Sequence, residues 1–189
     1  MSTIVKDKIV INNEFLVFIN KIELKLFRPQ DFGIEPVYYS SLMISGYYAL
    51  YAVNENLDFV LKDLYVNAAI NDETKLINGC MPSFSSKSDL GSKTTFYEYK
   101  NLNLTVPSSG FVLAGSDYLN LNKYRFSNKC NFGKILDVEI KHGKVVSIKD
   151  LSCFMETYRM QFSDGDIGKN RDKSLISKEI NKWFDYECM

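Results

Sequence analysis

The single histidine, His142, is the first residue to consider for acid–base chemistry. It sits with Gly143 between two lysines and two apolar segments, a pattern that predicts an exposed hairpin turn. Because no second histidine is present, Ser-His-Asp and Cys-His catalysis have little support. Paired carboxylates are the basis of glycoside chemistry, yet no pair stands out among the acidic residues. We therefore predict that the protein is not an enzyme and contains no catalytic residues.

Acidic residues near the C-terminus give the best candidate for a calcium site: Asp164, Asp166 and Asp172. An EF-hand loop needs oxygen ligands at its first, third and fifth positions, glycine at the sixth and glutamate at the twelfth. Counted from Asp164, the fifth, sixth and twelfth positions are instead Gly168, Lys169 and Leu175. The glycine-rich motifs that hold phosphates are also absent. We predict neither a metal nor a cofactor.

The cysteines are widely separated, and none forms the C-x-x-C spacing of zinc or redox sites: Cys80, Cys130, Cys153 and Cys188. This usage favours free thiols in a reducing compartment. Charged residues interrupt the apolar N-terminal segment, unlike a signal peptide. No apolar run approaches the length of a membrane span. We predict a soluble cytoplasmic protein with no contact to a membrane.

Tyrosine is abundant, with 12 residues, and tyrosines suit both base stacking and protein interfaces. Lys plus Arg and Asp plus Glu number 23 each, and this balance disfavours a nucleic-acid binder. The first aromatic strand also carries no lysine or arginine among its tyrosines. We therefore expect core packing or a protein interface, and we predict that the following tyrosines bind a protein partner: Tyr38, Tyr39, Tyr48, Tyr97, Tyr99 and Tyr118.

The elements that would position these side chains are mostly strands. A chain of 189 residues fits one domain spanning residues 1–189, and its 14% aromatic content favours a β-rich fold. Residues 38–66 read as a hairpin turning at Asn54, with a bulge near Lys62–Asp63 because Leu64 breaks the alternation. Residues 135–148 form a second hairpin around Gly143. Alternation also predicts strands at 22–26, 95–106 and 111–114.

The remaining segments are loops and one helix. Polar, Ser- and Asn-rich composition predicts long loops at residues 83–93 and 118–130. Residues 154–162 fit a strand and a helix equally well. Apolar residues at helical spacing, including Trp183, predict an amphipathic helix at 174–187 with Ser174 as its N-cap. The predicted fold class is mainly β (β-rich α+β), an antiparallel sandwich or partly open barrel with one C-terminal helix.

The central part of the chain also resembles a group of small, uncharacterised bacterial β-rich proteins. Their pattern begins G-Y-x-A-x-[WY]-x-[IV], which residues 46–53 match as GYYALYAV, with Tyr51 at the position where tryptophan is usual. A strand follows at residues 59–64, then a proline turn at 106–110 and a hairpin at 138–145. The match covers residues 38–150. Such proteins are similar to immunity proteins of bacterial toxin systems.

The resemblance implies a protein that binds and neutralises a cognate bacterial toxin domain without catalysis, and this is our first hypothesis. Its abundant tyrosines fit a protein interface. Two alternatives remain open. One is a β-barrel that holds a small apolar ligand between inward Tyr and Phe side chains. The other is an enzyme with an unrecognised carboxylate site.

Overall fold

The computed structural model describes residues 6–69, 75–85, 94–119 and 131–162. These residues form ten strands, a short 3₁₀ helix at Pro29–Phe32 and one α-helix, α1, at Ser152–Phe162. The strands are β1 (Lys8–Ile11), β2 (Glu14–Ile22), β3 (Tyr47–Val53), β4 (Phe59–Ala69), β5 (Ser83–Ser85), β6 (Thr94–Tyr99), β7 (Leu104–Thr105), β8 (Gly110–Tyr118), β9 (Phe132–Lys141) and β10 (Lys144–Asp150).

All ten strands of the described ranges belong to one sheet, in the order β10-β9-β8-β2-β1-β3-β4-β6-β5, with β7 beside β4. Neighbouring strands are antiparallel, apart from β1 and β3, which run parallel. The sheet is therefore mixed, and it is not closed into a barrel. The predicted β-rich α+β class is confirmed.

The first predicted hairpin is confirmed in β3 and β4, together with its bulge. Leu50 pairs with Asp63 and Tyr51 pairs with Leu61, which leaves Lys62 as the extra residue. The loop after β6 completes the bulge, because the N–H of residue 102 donates to the Lys62 carbonyl at 2.8 Å. The N–H of residue 101 donates to Asp63 Oδ1 at 2.9 Å. The extra residue shifts the alternation of side chains between the two faces by one position, so that both halves of β4 bury apolar residues on the same face.

The second predicted hairpin is confirmed in β9 and β10. His142 and Gly143 both have positive φ, 49° and 78°, as the tight turn of a two-residue hairpin requires. His142 is exposed, and its backbone N–H donates to Ser109 Oγ at 2.9 Å. The turn lies against the β3–β4 turn, since the N–H of Phe59 donates to the Gly143 carbonyl at 2.8 Å.

The sheet is curved. One apolar cluster fills its inner face, and α1 packs on its outer face. Tyr51, which is fully buried, stacks between Phe18 and Phe59 with ring centroids 5.5 and 5.1 Å away. On the outer face, Met155 of α1 is buried against apolar side chains of β8 and β9, among them Leu113. These two clusters bury most of the large apolar residues of the described chain, and burial of this kind is the main driving force of folding.

Several sequence predictions need correction at element boundaries. β2 ends at Ile22 because Glu23 takes a positive φ of 59°, so the strand predicted at 22–26 is wrong. Residues 95–106 divide into β6 and β7, separated by Asn101 and Asn103 with positive φ. β8 continues through Gly115 to Tyr118, since pairing with β9 extends along its whole length.

The predicted loops are shorter than expected where the structure describes them. Ser83–Ser85 pairs with β6 as β5, and Tyr118 is the last residue of β8. Residues 86–93 and 120–130 lie outside the described residues, as does the predicted helix at 174–187. Residues 154–162, whose sequence fits a strand and a helix equally well, lie within α1.

Gly46 should be far less tolerant of substitution than Gly33, although both have a φ near 70°. A Cβ on Gly46 would lie 2.8 Å from the backbone carbonyl carbon of Val37 and closer still to its oxygen, whereas a Cβ on Gly33 meets no atom within 4 Å. Alanine in this conformation costs about 1 kcal/mol by itself. We expect Gly33→Ala to lose about that much and Gly46→Ala about 3 kcal/mol or more, because overpacking adds to strain.

Equilibrium urea unfolding of both variants measures the difference in free energy of unfolding. Equal losses for the two alanine variants would show that the approach of Val37 to Gly46 does not constrain the fold.

Candidate functional site

Aromatic side chains form a row on the outer face of β3, β4 and β6. Tyr48 and Tyr65 stack with ring centroids 4.4 Å apart and planes 9° from parallel. Phe96 continues the row 6.4 Å from Tyr65, and Tyr39 packs on Phe96 at 5.5 Å. We call Tyr39, Tyr48, Tyr65 and Phe96 the outer aromatic surface. None of the four is fully buried, and Tyr39 is 47% exposed.

Strand alternation and register explain this row. Tyr48 lies directly opposite Tyr65 across β3 and β4, and Phe96 lies on β6 diagonally from Tyr65. Such cross-strand neighbours are within reach of aromatic rings. The segment that carries Tyr39 is held in place by Asn67, a buried residue of β4 whose Nδ2 donates to the carbonyl of Val37 at 3.0 Å.

Lys100 provides the positive charge beside the outer aromatic surface. Its Nζ lies 4.0 Å from the Tyr65 ring centroid, donates to the Tyr65 hydroxyl, and pairs with Glu98 at 3.4 Å. Burial lowers the pKa of Lys100, but the bonds to Tyr65 and Glu98 outweigh it and raise the pKa overall. Burial and the neighbouring Tyr65 raise the pKa of Tyr48 to about 12. The surface therefore presents the neutral phenol of Tyr48 and one paired lysine.

The tyrosines predicted to bind a partner divide between the two faces. Tyr39 and Tyr48 belong to the outer aromatic surface, and Tyr38, adjacent to Tyr39, is 61% exposed. Tyr97 and Tyr99 need correction, since alternation along β6 directs them into the core, where they are 8% and 1% exposed.

Tyr118 is 62% exposed but lies at the end of β8, where its ring contacts Phe132. It is therefore not part of the outer aromatic surface. Sequence reasoning missed Tyr65, Phe96 and Lys100. Tyr65 was detectable, because the predicted bulge places it on the same face as Tyr48.

A second feature is an open cleft of about 350 Å³ where β1 and β3 begin and β2 bulges. The bulge arises because Phe18 pairs with Ala114 and Asn20 with Leu113, leaving Ile19 without a partner on β8. We call this the Asp7 cleft. Its lining residues are Lys6, Asp7, Phe18, Ile19, Asn20, Lys21, Leu26, Ser45 and Tyr47.

Asp7 joins the three strands at this cleft. Its Oδ1 accepts the Ala49 N–H at 2.8 Å, and its backbone carbonyl accepts the Phe18 N–H at 2.9 Å. Burial raises the pKa of the Asp7 carboxyl, against the opposing effects of the Ala49 hydrogen bond and the Lys21 charge. Burial and the Asp7 charge likewise raise the pKa of the Tyr47 hydroxyl. The cleft thus combines a perturbed carboxyl, a neutral phenol and two lysines.

The described residues give less support to a metal site or to a ligand inside the sheet. No group of three His, Cys, Asp or Glu side chains there could hold a metal ion. Cys80 and Cys153 are free thiols. The stacked rings of Phe18, Tyr51 and Phe59 occupy the inner face, where a barrel would hold its ligand. Across the described ranges, no helix has the length and apolar character needed to span a bilayer.

Comparison of the chain with family models, with curated proteins and with solved structures finds no match. The outer aromatic surface and the Asp7 cleft are accordingly interpreted from their own geometry.

Replacing Asp7 should separate its role as an acceptor from its charge. Asparagine keeps an oxygen for the Ala49 N–H, whereas alanine leaves this donor without a partner, so Asp7→Ala should be about 1–3 kcal/mol less stable than Asp7→Asn. Because folding raises the Asp7 pKa, its favourable contribution is full below the unfolded value of 3.8 and is lost as pH rises through the folded pKa. Asp7→Asn should therefore gain stability relative to wild type as pH rises above about 4.

Urea unfolding at several pH values measures both differences. If Asp7→Asn and wild type kept a constant difference from pH 4 to pH 8, folding would not raise the Asp7 pKa.

Proposed function

We propose that this protein is an immunity-type binding protein, which neutralises a cognate bacterial toxin domain by binding it, without catalysis. The observation that carries the proposal is the outer aromatic surface, in which three rings from β3, β4 and β6 and the ring of Tyr39 form one row. Tyrosine side chains of this kind supply large contact areas at low entropic cost, and they are enriched at protein interfaces.

The position of the outer aromatic surface supports a docking role. Helix α1 covers the outer face at β8 and β9, on the other half of the sheet. The row at β3, β4 and β6 keeps partly exposed rings, and Tyr38, beside Tyr39, is 61% exposed. Contiguous exposed apolar area of this kind marks interaction sites more often than scattered single residues do.

The charges beside the surface favour a protein partner over a nucleic acid. Lys100 is paired with Glu98 and bonded to Tyr65, so it adds no excess positive charge. Single-stranded nucleic-acid sites combine stacking rings with a positively charged groove. A mixed pair at the margin of an aromatic patch instead matches the polar rim of a protein interface. The proposal includes a cytoplasmic location, which the free thiols of Cys80 and Cys153 support.

Removing rings from the outer aromatic surface should weaken partner binding without unfolding the chain. The double variant Tyr65→Ser/Phe96→Ser removes the centre of the row, and we expect at least about a tenfold loss of affinity because central aromatic residues dominate interface energies. Phe15→Ser is the matched control, since Phe15 is 60% exposed at the β1–β2 turn. The partner tested is a toxin domain encoded beside the gene for this chain, and calorimetry gives the affinity.

Co-expression with that toxin domain tests the function itself. Wild type and Phe15→Ser should restore growth, and the double variant should fail while retaining a wild-type circular dichroism spectrum. Growth rescue by the folded double variant would place the interface elsewhere, and absence of rescue by wild type would refute the immunity function.

A further inference from the structure

The Asp7 cleft contains polar groups that make no hydrogen bond or salt bridge to any residue that the structure describes. They are the ammonium groups of Lys6 and Lys21, the hydroxyl of Tyr47, the Nδ2 of Asn20 and the Oδ2 of Asp7. Polar groups that line a concave site and lack partners are characteristic of small-molecule sites. The volume of about 350 Å³ lies within the usual range of roughly 300–1,000 Å³.

The balance of donors and acceptors indicates the chemistry of a ligand. Lys6, Lys21 and Asn20 offer donors, the Tyr47 hydroxyl can donate or accept, and Asp7 Oδ2 is the one carboxylate oxygen among the side chains listed above. The raised pKa of Tyr47 keeps its hydroxyl protonated, so it remains a donor at neutral pH. A ligand that satisfies this set must be rich in acceptor oxygens, and two ammonium groups favour an anion.

The other lining residues are apolar. Phe18, Ile19 and Leu26 form part of the wall, and Phe18 and Leu26 belong to the same apolar cluster as the core. An inorganic anion would leave these side chains in contact with water, whereas an organic anion would bury them. Asp7 Oδ2, whose carboxyl feels the charge of Lys21, is an acceptor that suits a hydroxyl group on the ligand.

We propose that the Asp7 cleft binds a small organic hydroxy acid. Its carboxylate lies between Lys6 and Lys21, its hydroxyl donates to Asp7 Oδ2, and its apolar body contacts Phe18 and Leu26. The two lysines outweigh the negative charge of Asp7, so the site retains a net attraction for a carboxylate.

This site is separate from the outer aromatic surface. Tyr47 lines the cleft, and Tyr48 belongs to the outer aromatic surface; adjacent residues of β3 point to opposite faces. The proposal therefore does not depend on the immunity function, and each can fail without the other.

The test uses the full chain and 3-phenyllactate, a carboxylate with a hydroxyl group and an apolar ring. Calorimetry should give a dissociation constant in the low millimolar range, about 1–5 mM, as expected for a fragment of this size. Nitrogen–proton NMR spectra should show the largest shifts at the amides of Ile19 and Ala49. The neutral amide of the same acid and inorganic phosphate should each bind at least about threefold more weakly.

Two exposed lysines provide the variant and its control. Lys21→Gln should weaken 3-phenyllactate binding about three- to tenfold, because it removes one ammonium group of the cleft. Lys8 lies on β1 and does not line the cleft. Lys8→Gln therefore removes the same charge but should bind 3-phenyllactate with the affinity of the wild-type protein. Both residues are exposed, so both variants should unfold at the wild-type temperature.

The proposal is overturned if 3-phenyllactate gives no saturable binding up to about 20 mM. Equal affinity for the neutral amide would show that the carboxylate does not contribute to binding. Equal affinity for phosphate would show that the apolar contact does not contribute. Equal losses of affinity in Lys21→Gln and Lys8→Gln would show that binding depends only on the overall positive charge. This result would also refute a site in the cleft.

Discussion

The contact between two hairpin ends determines how the whole sheet curves. Five strands lie between β10 and β4 in the sheet, yet the turn before β10 meets the start of β4. Phe59 and Val145 donate backbone hydrogen bonds across this contact at 2.8 Å, to the carbonyls of Gly143 and Leu57. A flat sheet cannot bring these ends together, so the contact requires strong twist along the intervening strands. The adjoining exposed ion pair of Lys144 with residue 58 contributes little beside the backbone bonds.

Bulges supply the local twist that this curvature needs. β4 bulges at Lys62, β2 at Ile19 and β10 at Val146. An extra residue bends its strand and increases the right-handed twist. Two of these bulges also have a local consequence for a surface. The Lys62 bulge leaves Tyr65 on the outer face, where it stacks on Tyr48, and the Ile19 bulge opens the Asp7 cleft. The same geometry that closes the core therefore shapes both candidate sites.

Features that depend on residues close together in the chain could be predicted from the sequence. Positive φ at Gly143 and the broken alternation around Lys62 are short-range features, and both hairpins and the bulge are confirmed. Register between distant strands is not local, and the parallel pairing of β1 with β3 joins segments about forty residues apart. Alternation alone does not decide which face of β6 is buried, and the interface role predicted for Tyr97 is wrong because Tyr97 packs in the core. Asp7 carried no signal, because its partner is the Ala49 backbone N–H.

The two candidate sites share β3, and the hydrogen bond from Ala49 to Asp7 lies one residue from Tyr48. Proximity alone does not couple them, because a ligand shifts an equilibrium only when it binds two states with different affinity. β3 is held by backbone pairing to β1 on one side and to β4 on the other. A ligand at Asp7 would have to break one of these ladders to move Tyr48, at a cost of several hydrogen bonds. A millimolar ligand has too little binding energy for that, so the outer aromatic surface and the Asp7 cleft are expected to act independently.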